Sequence, residues 1–488
     1  MARPPLPSVP SRLVEVEVAD RTRRTAPVAV LVTNEDVAEG AVSGPPGFAG
    51  AEGEVQELTD GDGPRWLVGV GAGAPRHYRT AGATFVRAAH ACADTTASSG
   101  GRPPLTVQVR PPARAGAAEY AAFATGALLG GYRFRVSGAE APVRVRTLRL
   151  VAPGEGLTEC ADAVARAVEL ARATALARDL ANAPSNVKDP AWLARTAERT
   201  AGATPGIDVT VRDEKWLARN RFGGMLAVGG GAASPPRLVE LEYRPRGATT
   251  HLLLVGKGIT FDTGGLSLKP NAGMHLMRTD MSGGGAVIAA VRAIAALRLP
   301  VRITALVPSA ENTVSGSAYR PGDVVRHYGG RTTQVDNTDA EGRMVLADAL
   351  AYGTATFRPD VVVDVATLTG AMKVALGLRT GGLFATVDDL ADRLRTAGDV
   401  VGERWWRMPL SEEHTAAVTA DIADGRQCPP GPGGVTAALF LREFTAGLPW
   451  AHLDIAGPAR AESTYAEVVP GGTGFAARTL VEFAASYR

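Results

Sequence analysis

The chain has 488 residues, 45% hydrophobic and 21% charged, with a formal net charge of +2. That length predicts roughly two to three domains with room for a large core. The near balance of charge excludes a strong general pull toward nucleic acid or a membrane, and the ordinary composition excludes a fibrous or disordered chain.

In chain order, residues 13–20 (LVEVEVAD) alternate as a half-buried strand does, and 27–33, 66–71, 105–109 and 144–151 read as further strands. Between them 79–95 and 117–130 are Ala-rich and predict helices, which makes an N-terminal α/β unit. The GVGAGAP text at 69–75 reads as a tight turn after a strand rather than a phosphate cradle. Residues 157–181 predict a long helix, because Leu157, Ala161, Val164, Val168, Ala171 and Ala175 recur at steps of three or four. The NAPSN run at 182–186 stops it, since Pro184 disfavours helix at the residue before it. The expected division is therefore an N-terminal domain over 1–160, a connecting helix over 161–186 and a C-terminal domain over 187–488.

In the second part, 239–243, 252–256, 302–308, 361–367, 382–387 and 451–457 are strand-like, several as unbroken apolar runs. Helices are predicted at 190–202, 283–297, 343–356 and 435–446. This alternation predicts an α/β fold with a mostly parallel or mixed central sheet flanked by helices, and ligands at the carboxyl ends of its strands. The most apolar region, near 361–378, contains Asp364 and Lys373 and reads as a buried strand with its following loop, not a membrane span. The N-terminal text MARPPLPSVPSRLVEVEV passes into alternation without the apolar run of a signal peptide. Cys92, Cys160 and Cys428 are far apart, odd in number and without a CxxC pattern, so a reducing, cytoplasmic setting is expected.

Chemistry concentrates in one region. Only five of the 52 basic residues are lysines, and Lys257 and Lys269 both fall in VGKGITFDTGGLSLKP. Arginine keeps its proton in proteins, whereas lysine can present a neutral amine. Near these lysines lie Asp262, Asp280 in RTDMSGGG, and Asp339 and Glu341 in NTDAEGR, with Arg343 just beyond. In extended backbone Asp339 and Glu341 point the same way. Four carboxylates balance two divalent cations, and such a pair can clamp a carbonyl oxygen and generate hydroxide from a bridging water. The oxygen-rich set suits Mn²⁺ or Mg²⁺, and Zn²⁺ also binds carboxylates. A metal beside Lys257 would favour its neutral amine as a ligand, while Lys269 as an ammonium can stabilise an oxyanion. Taken singly, each acid reads equally well as a helix cap or a solvated residue; as a set with two rare lysines, they do not. His275 reads as a loop residue, and VGKG is not a nucleotide-binding P-loop.

These segments, with AYRPGDVV at 318–325 and ATLTGAM at 366–372, resemble the leucyl aminopeptidase (cytosol aminopeptidase) family over roughly 175–488. The resemblance implies a small N-terminal α/β domain of macro-like type, a larger catalytic domain and a homohexamer. It implies two divalent ions per subunit (Mn²⁺ or Zn²⁺, with Mg²⁺ or Co²⁺ as alternatives). Lys257, Asp262, Asp280 and Glu341 match the ligands of the looser ion, and Asp262, Asp339 and Glu341 those of the tighter one. Lys269 matches the catalytic lysine, and Arg343 the arginine that holds a bicarbonate acting as general base. Met277, Thr367 and Gly370 match positions lining the pocket for the first side chain, and Leu368 one that binds the peptide backbone.

The expected activity is hydrolysis of the N-terminal bond of peptides with a free N-terminus, favouring apolar first residues such as leucine through burial beside Met277. DGRQCPPGPGG at 424–434 departs from the family's Gly-rich segment by Cys428 and three prolines, which puts the substrate range in question. Two alternatives follow: a peptidase confined to one pathway, and a DNA-binding architectural protein. The second has little charge behind it, since residues 1–150 hold 17 Arg against 14 acids.

Overall fold

A computed structural model describes residues 9–42, 44–58, 65–136, 142–152 and 154–487. The first eight residues of the N-terminal text read above lie outside these. The chain divides into two compact units. One is Ser11–Ala175 together with Glu462–Pro470; the other runs from Leu176 to Ala461, resumes at Gly471, and takes in the described residues before Ser11.

The first unit carries six strands: β1 (Glu15–Ala19), β2 (Val28–Val32), β3 (Val55–Glu57), β4 (Trp66–Gly69), β5 (Thr106–Arg110) and β6 (Thr147–Val151). Their order is β1-β6-β5-β2-β4-β3, with every neighbouring pair parallel except β3 with β4. The alternation expected at 13–20 is present as β1, and the GVGAGAP turn leads into the helix Pro75–Ser98, with Pro75 in its first turn, where a missing N–H costs nothing. The core gathers Trp66, Tyr78, Phe85 and Phe123, with Trp66 edge-on to Phe85. The 462–470 excursion is tied to this unit: Arg87 Nη2 donates to Ala466 O at 2.6 Å, and Arg79 lies 3.4 Å from Glu467. The helix Leu157–Asn182 ends where NAPSN begins and passes from one unit into the other.

The second unit is built on a nine-stranded sheet. Its strands in sequence are β7 (Ile207–Arg212), β8 (Arg237–Tyr243), β9 (His251–Gly256), β10 (Gly258–Asp262) and β11 (Arg302–Asn312). Then come β12 (Val324–Arg326) and β13 (Thr332–Gln334), which lie outside it, followed by β14 (Val361–Ala366), β15 (Thr380–Ala385) and β16 (Arg404–Arg407). After β17 (Gly425–Arg426), also outside, β18 (Trp450–Asp454) completes it. The order is β16-β15-β18-β14-β9-β11-β8-β7, with β10 continuing along β11. The centre, β18-β14-β9-β11, is parallel, while β8, β7 and β15 run antiparallel to their inner neighbours. The sheet is therefore mixed.

Every residue of β9 is buried, as an unbroken apolar run predicts for a strand covered on both sides. Leu253 and Val255 share a cluster with Met344, Val345, Leu346 and Leu350 of the helix Glu341–Phe357. The helix Ser282–Ala296 lies so close to the sheet that a Cβ on Gly283 would fall 2.0 Å from Val365 O. That explains Gly283, and Gly284 is under a similar constraint, since a Cβ there would fall 2.6 Å from Val307 Cγ1. Asp364, in the middle of the apolar run, is fully buried and accepts from Trp450 Nε1 at 2.7 Å and pairs with His452 Nδ1 at 2.5 Å. No helix among the described residues is long and apolar enough to cross a membrane. All three cysteines are free thiols.

Several elements have no counterpart in the sequence reading. The helix Asp388–Val401 buries Leu390, Ala391, Leu394, Ala397 and Val401, but two of these are alanines and the run is flanked by charge, which flattens its apolar stripe. Strands β7 and β10 are short and mixed in character, and they form because β8 and β11 offer them edges.

Burial of histidine makes stability pH-dependent. Burial, with Arg302 beside it, holds His251 down to about 4; burial and Arg144 do the same to His90 in the first unit. A depressed folded-state value means the neutral ring is favoured, so this stability is present above the unfolded value near 6.5 and is lost as pH falls toward 4. Chemical denaturation at pH 7 and pH 5 should show lower stability at pH 5, by at most about 2 kcal/mol per histidine. His251→Gln should narrow that gap; an unchanged gap would show that His251 does not titrate on unfolding.

Candidate metal centre

The site forms because β11 is longer than its neighbours. Its first half pairs with β9 and its second half with β10, so the chain must turn between Gly256 and Gly258. Lys257 occupies that turn, at the carboxyl end of β9, and its N–H donates to Val365 O of β14 at 3.0 Å. The register of β10 on β11 sets Asp262 opposite Asn312, whose Nδ2 donates to Asp262 Oδ1 at 2.8 Å and to Thr338 O at 2.9 Å. Gly264, at φ +88°, donates its N–H to the same Asp262 oxygen at 2.8 Å. A Cβ there would fall 2.9 Å from Asp339 Oδ1, so the FDTGG text lets two acidic segments approach each other.

The structure brings the sequence-predicted residues together. Carboxylate oxygens of Asp262, Asp280 and Glu341 all lie within 4.8 Å of one another, and all three residues are buried. Lys257 Nζ stands among them, 2.9 Å from Asp280 Oδ2, 2.8 Å from Glu341 Oε1 and 3.0 Å from Thr367 O. Its stem runs across Gly342, where a Cβ would fall 2.6 Å from Lys257 Cε. Lys269 Nζ lies 2.8 Å from Asp262 Oδ2 and also pairs with Asp339. The helices beginning at Ser282 and Glu341 have no side-chain cap bond, so neither Asp280 nor Asp339 is spent as a cap.

The electrostatics follow from burial. Burial and the Glu341 charge push Asp262 up to about 6, against the pull of Lys269 and Lys257. Burial also raises Asp280 and Glu341. Burial alone would lower Lys257, but Asp280, Glu341 and Asp262 hold it above its ordinary value; Lys269 is likewise held up against burial by Asp262 and Glu341. Both lysines are therefore ammonium groups in this arrangement, and Lys257 must give up its proton to become a ligand.

A divalent cation suits these residues. Asp280 Oδ2, Glu341 Oε1 and Asp339 Oδ1 are buried next to lysine nitrogens, yet none accepts a well-directed hydrogen bond. Buried carboxylate oxygens without hydrogen bonds are costly, and a hard cation satisfies them without needing a donor hydrogen. Four carboxylates against two ammonium groups leave two negative charges uncompensated.

The residues line a cavity of about 200 Å³ together with Met277, Thr279, Thr367, Leu368, Thr369, Gly370, Lys373, Ala456, Ala459 and Arg460. Every sequence-predicted site residue reaches this cavity except Arg343. Arg343 is buried beside it and donates from Nη1 to Gln427 O at 2.6 Å, while its Nε has no partner among the described residues. His275 is exposed in the 3₁₀ turn Met274–Thr279, as a loop residue should be.

Sequence reasoning named Thr367 for the pocket but missed its hold on the acids, and it did not single out Asp454 or Gln427. Thr367 Oγ1 donates to Asp280 Oδ1 at 2.6 Å. Asp454, at the end of β18, accepts from the N–H groups of Leu368 and Thr369 at 3.2 and 3.0 Å and fixes that turn. Gln427 is fully buried. Its Oε1 accepts from Asp336 N and Asn337 N, both at 3.2 Å, and its Nε2 donates to Ala340 O at 2.8 Å. It thus grips the Asp339–Glu341 loop from both ends. Asp454 in AHLDIAG and the unusual amide in DGRQC were visible as polar residues in apolar or Gly-rich text, but nothing local gave their partners, which lie 85 or more positions away.

Comparison with known proteins agrees with this geometry. The model of the cytosol aminopeptidase family's catalytic domain matches residues 175–481. A probable cytosol aminopeptidase of Syntrophotalea carbinolica is 46% identical over 365 residues, 73% of each chain. One of Streptomyces avermitilis is 43% identical over 459 residues, 90% of this chain and 87% of that one. Among solved structures, the bottromycin maturation enzyme BotP in complex with Mn is 40% identical with a TM-score of 0.83, covering 94% of this chain and 98% of that one. A tomato leucine aminopeptidase mutant is 30% identical with a TM-score of 0.84, covering 99% and 98%. The family match over the unit that holds the acidic cavity, and relatives at this identity along most of the chain, make this protein a member of the cytosol aminopeptidase family, a metal-dependent aminopeptidase acting on peptides.

Proposed function

We propose that the cavity holds two divalent ions and removes the first residue of peptides, favouring apolar first residues such as leucine. The observation that carries this reading is the set of buried carboxylate oxygens without hydrogen bonds around Lys257. Lys257, Asp262, Asp280 and Glu341 would hold one ion, and Asp262, Asp339 and Glu341 the other; the oxygen-rich set favours Mn²⁺, with Zn²⁺, Mg²⁺ or Co²⁺ as alternatives. Such a pair would polarise the scissile carbonyl and activate a water for attack near neutral pH.

The chain's own residues do the rest. The carboxylates attract the free α-amine, which fixes the peptide by its end and makes the enzyme an exopeptidase. Lys269, held as an ammonium, would stabilise the oxyanion that develops at the scissile carbonyl. Met277 would favour apolar first residues by burial, beside Thr367 and Gly370, with Leu368 meeting the peptide backbone. Arg343, with its unpaired buried Nε, would hold bicarbonate, a base for the water's proton. A cytoplasmic homohexamer fits the free cysteines and the exposed Val374, Trp406 and Ile422, which assembly would cover.

Chelation should abolish cleavage of leucine peptides, and Mn²⁺ should restore it. Lys269→Gln in metal-loaded protein should lower kcat by about 100-fold or more with a smaller change in KM; equal turnover by variant and wild type would remove Lys269 from the chemistry.

Replacing Gln427 with methionine keeps the volume but leaves Asp336 N, Asn337 N and Ala340 O unpaired. Mn²⁺ affinity, followed by titration calorimetry, should fall by roughly 10- to 100-fold. Arg426→Ala removes only the pair of that segment with the Asp336 side chain, 2.8 Å away, and should cost less. Equal losses in the two variants would show that Gln427 merely stabilises the segment.

A further inference from the structure

The cavity wall carries charge of both signs. Beside the acidic cluster, its lining includes Lys373 and Arg460, which come from separate elements. Lys373 lies one turn beyond Gly370 on the helix Gly370–Leu376, so both face the same way. Arg460 follows the Ala456–Ala459 stretch after β18. The two segments are in direct contact: a Cβ on Gly457 would meet Gly377 O at 2.2 Å and Lys373 Cα at 3.7 Å.

Among the described residues neither cation has a side-chain hydrogen bond or an ion pair. Most other cations near the cavity are already engaged: Lys257 and Lys269 by the carboxylates, and Arg343 by Gln427 O. The Asp454 carboxylate, the nearest buried acid on that side in sequence, is committed to Leu368 N and Thr369 N and to the Thr369 hydroxyl. A lysine near a helix C-terminus is favourable for the helix, which accounts for a cation at 373 but not for its place in the cavity wall. Arg460 is not on a helix at all.

We infer that Lys373 and Arg460 read a carboxylate carried by the substrate, so that the enzyme selects peptides with an acidic group near the scissile bond. The inference rests on the proposed peptidase reading of the same cavity. A substrate with its α-amine at the carboxylates and a carboxylate of its own at Lys373 and Arg460 meets opposite charge at both groups. The carboxylate is either the C-terminal carboxylate of a dipeptide, which is compatible with an apolar first residue, or that of a first residue, Asp or Glu, which would replace the apolar preference at that position. Arginine's planar fork can take it in two parallel bonds, with Lys373 adding a point charge.

The test uses metal-loaded protein and matched peptides that differ only in charge: Glu-Ala-Leu amide against Gln-Ala-Leu amide, and Leu-Ala against Leu-Ala amide. In one pair or the other kcat/KM should favour the carboxylate by about tenfold, and the ratio should fall at high salt. Selectivity in the first pair assigns the group to the first side chain, and in the second pair to the substrate's C-terminus. The double variant K373Q/R460Q should bring the ratio near one, and K373E/R460E should invert it. Where the first pair shows the preference, titration calorimetry with free glutamate and glutamine gives a readout independent of turnover and should show it in wild type only; where the second pair does, leucine against leucine amide serves in the same way. Ratios near one in both pairs, with Leu-Ala amide still cleaved, overturn the inference and leave the peptidase reading intact. Failure to cleave any of the four overturns the peptidase reading, and the inference with it.

Discussion

The structure depends on keeping four carboxylates close together, three of them, Asp262, Asp280 and Glu341, in a place where water cannot screen them. Unpaired, such charges would each cost several kcal/mol, and their mutual repulsion would open the loops that carry them. Lys257 and Lys269 prevent this by standing between the acids, each in contact with two of them. The same arrangement leaves the cluster short of positive charge and its oxygens short of donors. It is stable enough to fold and unsatisfied enough to take up cations.

The sheet explains why the acids meet at all. Parallel strands present all their carboxyl ends at one edge, so segments distant in sequence deliver their next residues to one place. Lys257 follows β9, Thr367 and Leu368 follow β14, and Asp454 ends β18. Only the long β11 carries past that edge, and it is there that β10 pairs and sets Asp262 beside Asn312. Glycines then permit what side chains would prevent: Gly283 lets a helix rest on β14, and Gly342 lets the lysine stem pass. A Gly-rich sequence in such a fold marks close approach rather than looseness.

Much of this was legible in the residues. Unbroken apolar runs gave the central strands, and the rarity of lysine pointed to the two that matter. The acids could be recognised as a set because their types and local texts suit a cation. What the sequence did not yield were interactions made at long range. The apolar stripe of Asp388–Val401 is diluted by alanine, and β7 and β10 exist only because a neighbour offers an edge. Gln427 shows no local sign of its role, because its three bonds to the 336–340 backbone are created by the pairing of β17 with β13. Arg343 matched a motif, but its bond to Gln427 O, a residue 84 positions away, is one that no pattern of letters encodes.

The excursion at Glu462–Pro470 has a consequence for how the two units are joined. The chain crosses from the first unit to the second within one helix, goes back for nine residues, and then returns to finish the second. The units are therefore interleaved covalently, and no single cut or gene truncation releases either of them whole. A fragment beginning at Leu176 still carries a strip of its neighbour, and one ending at Ala175 lacks the backbone that Arg87 holds.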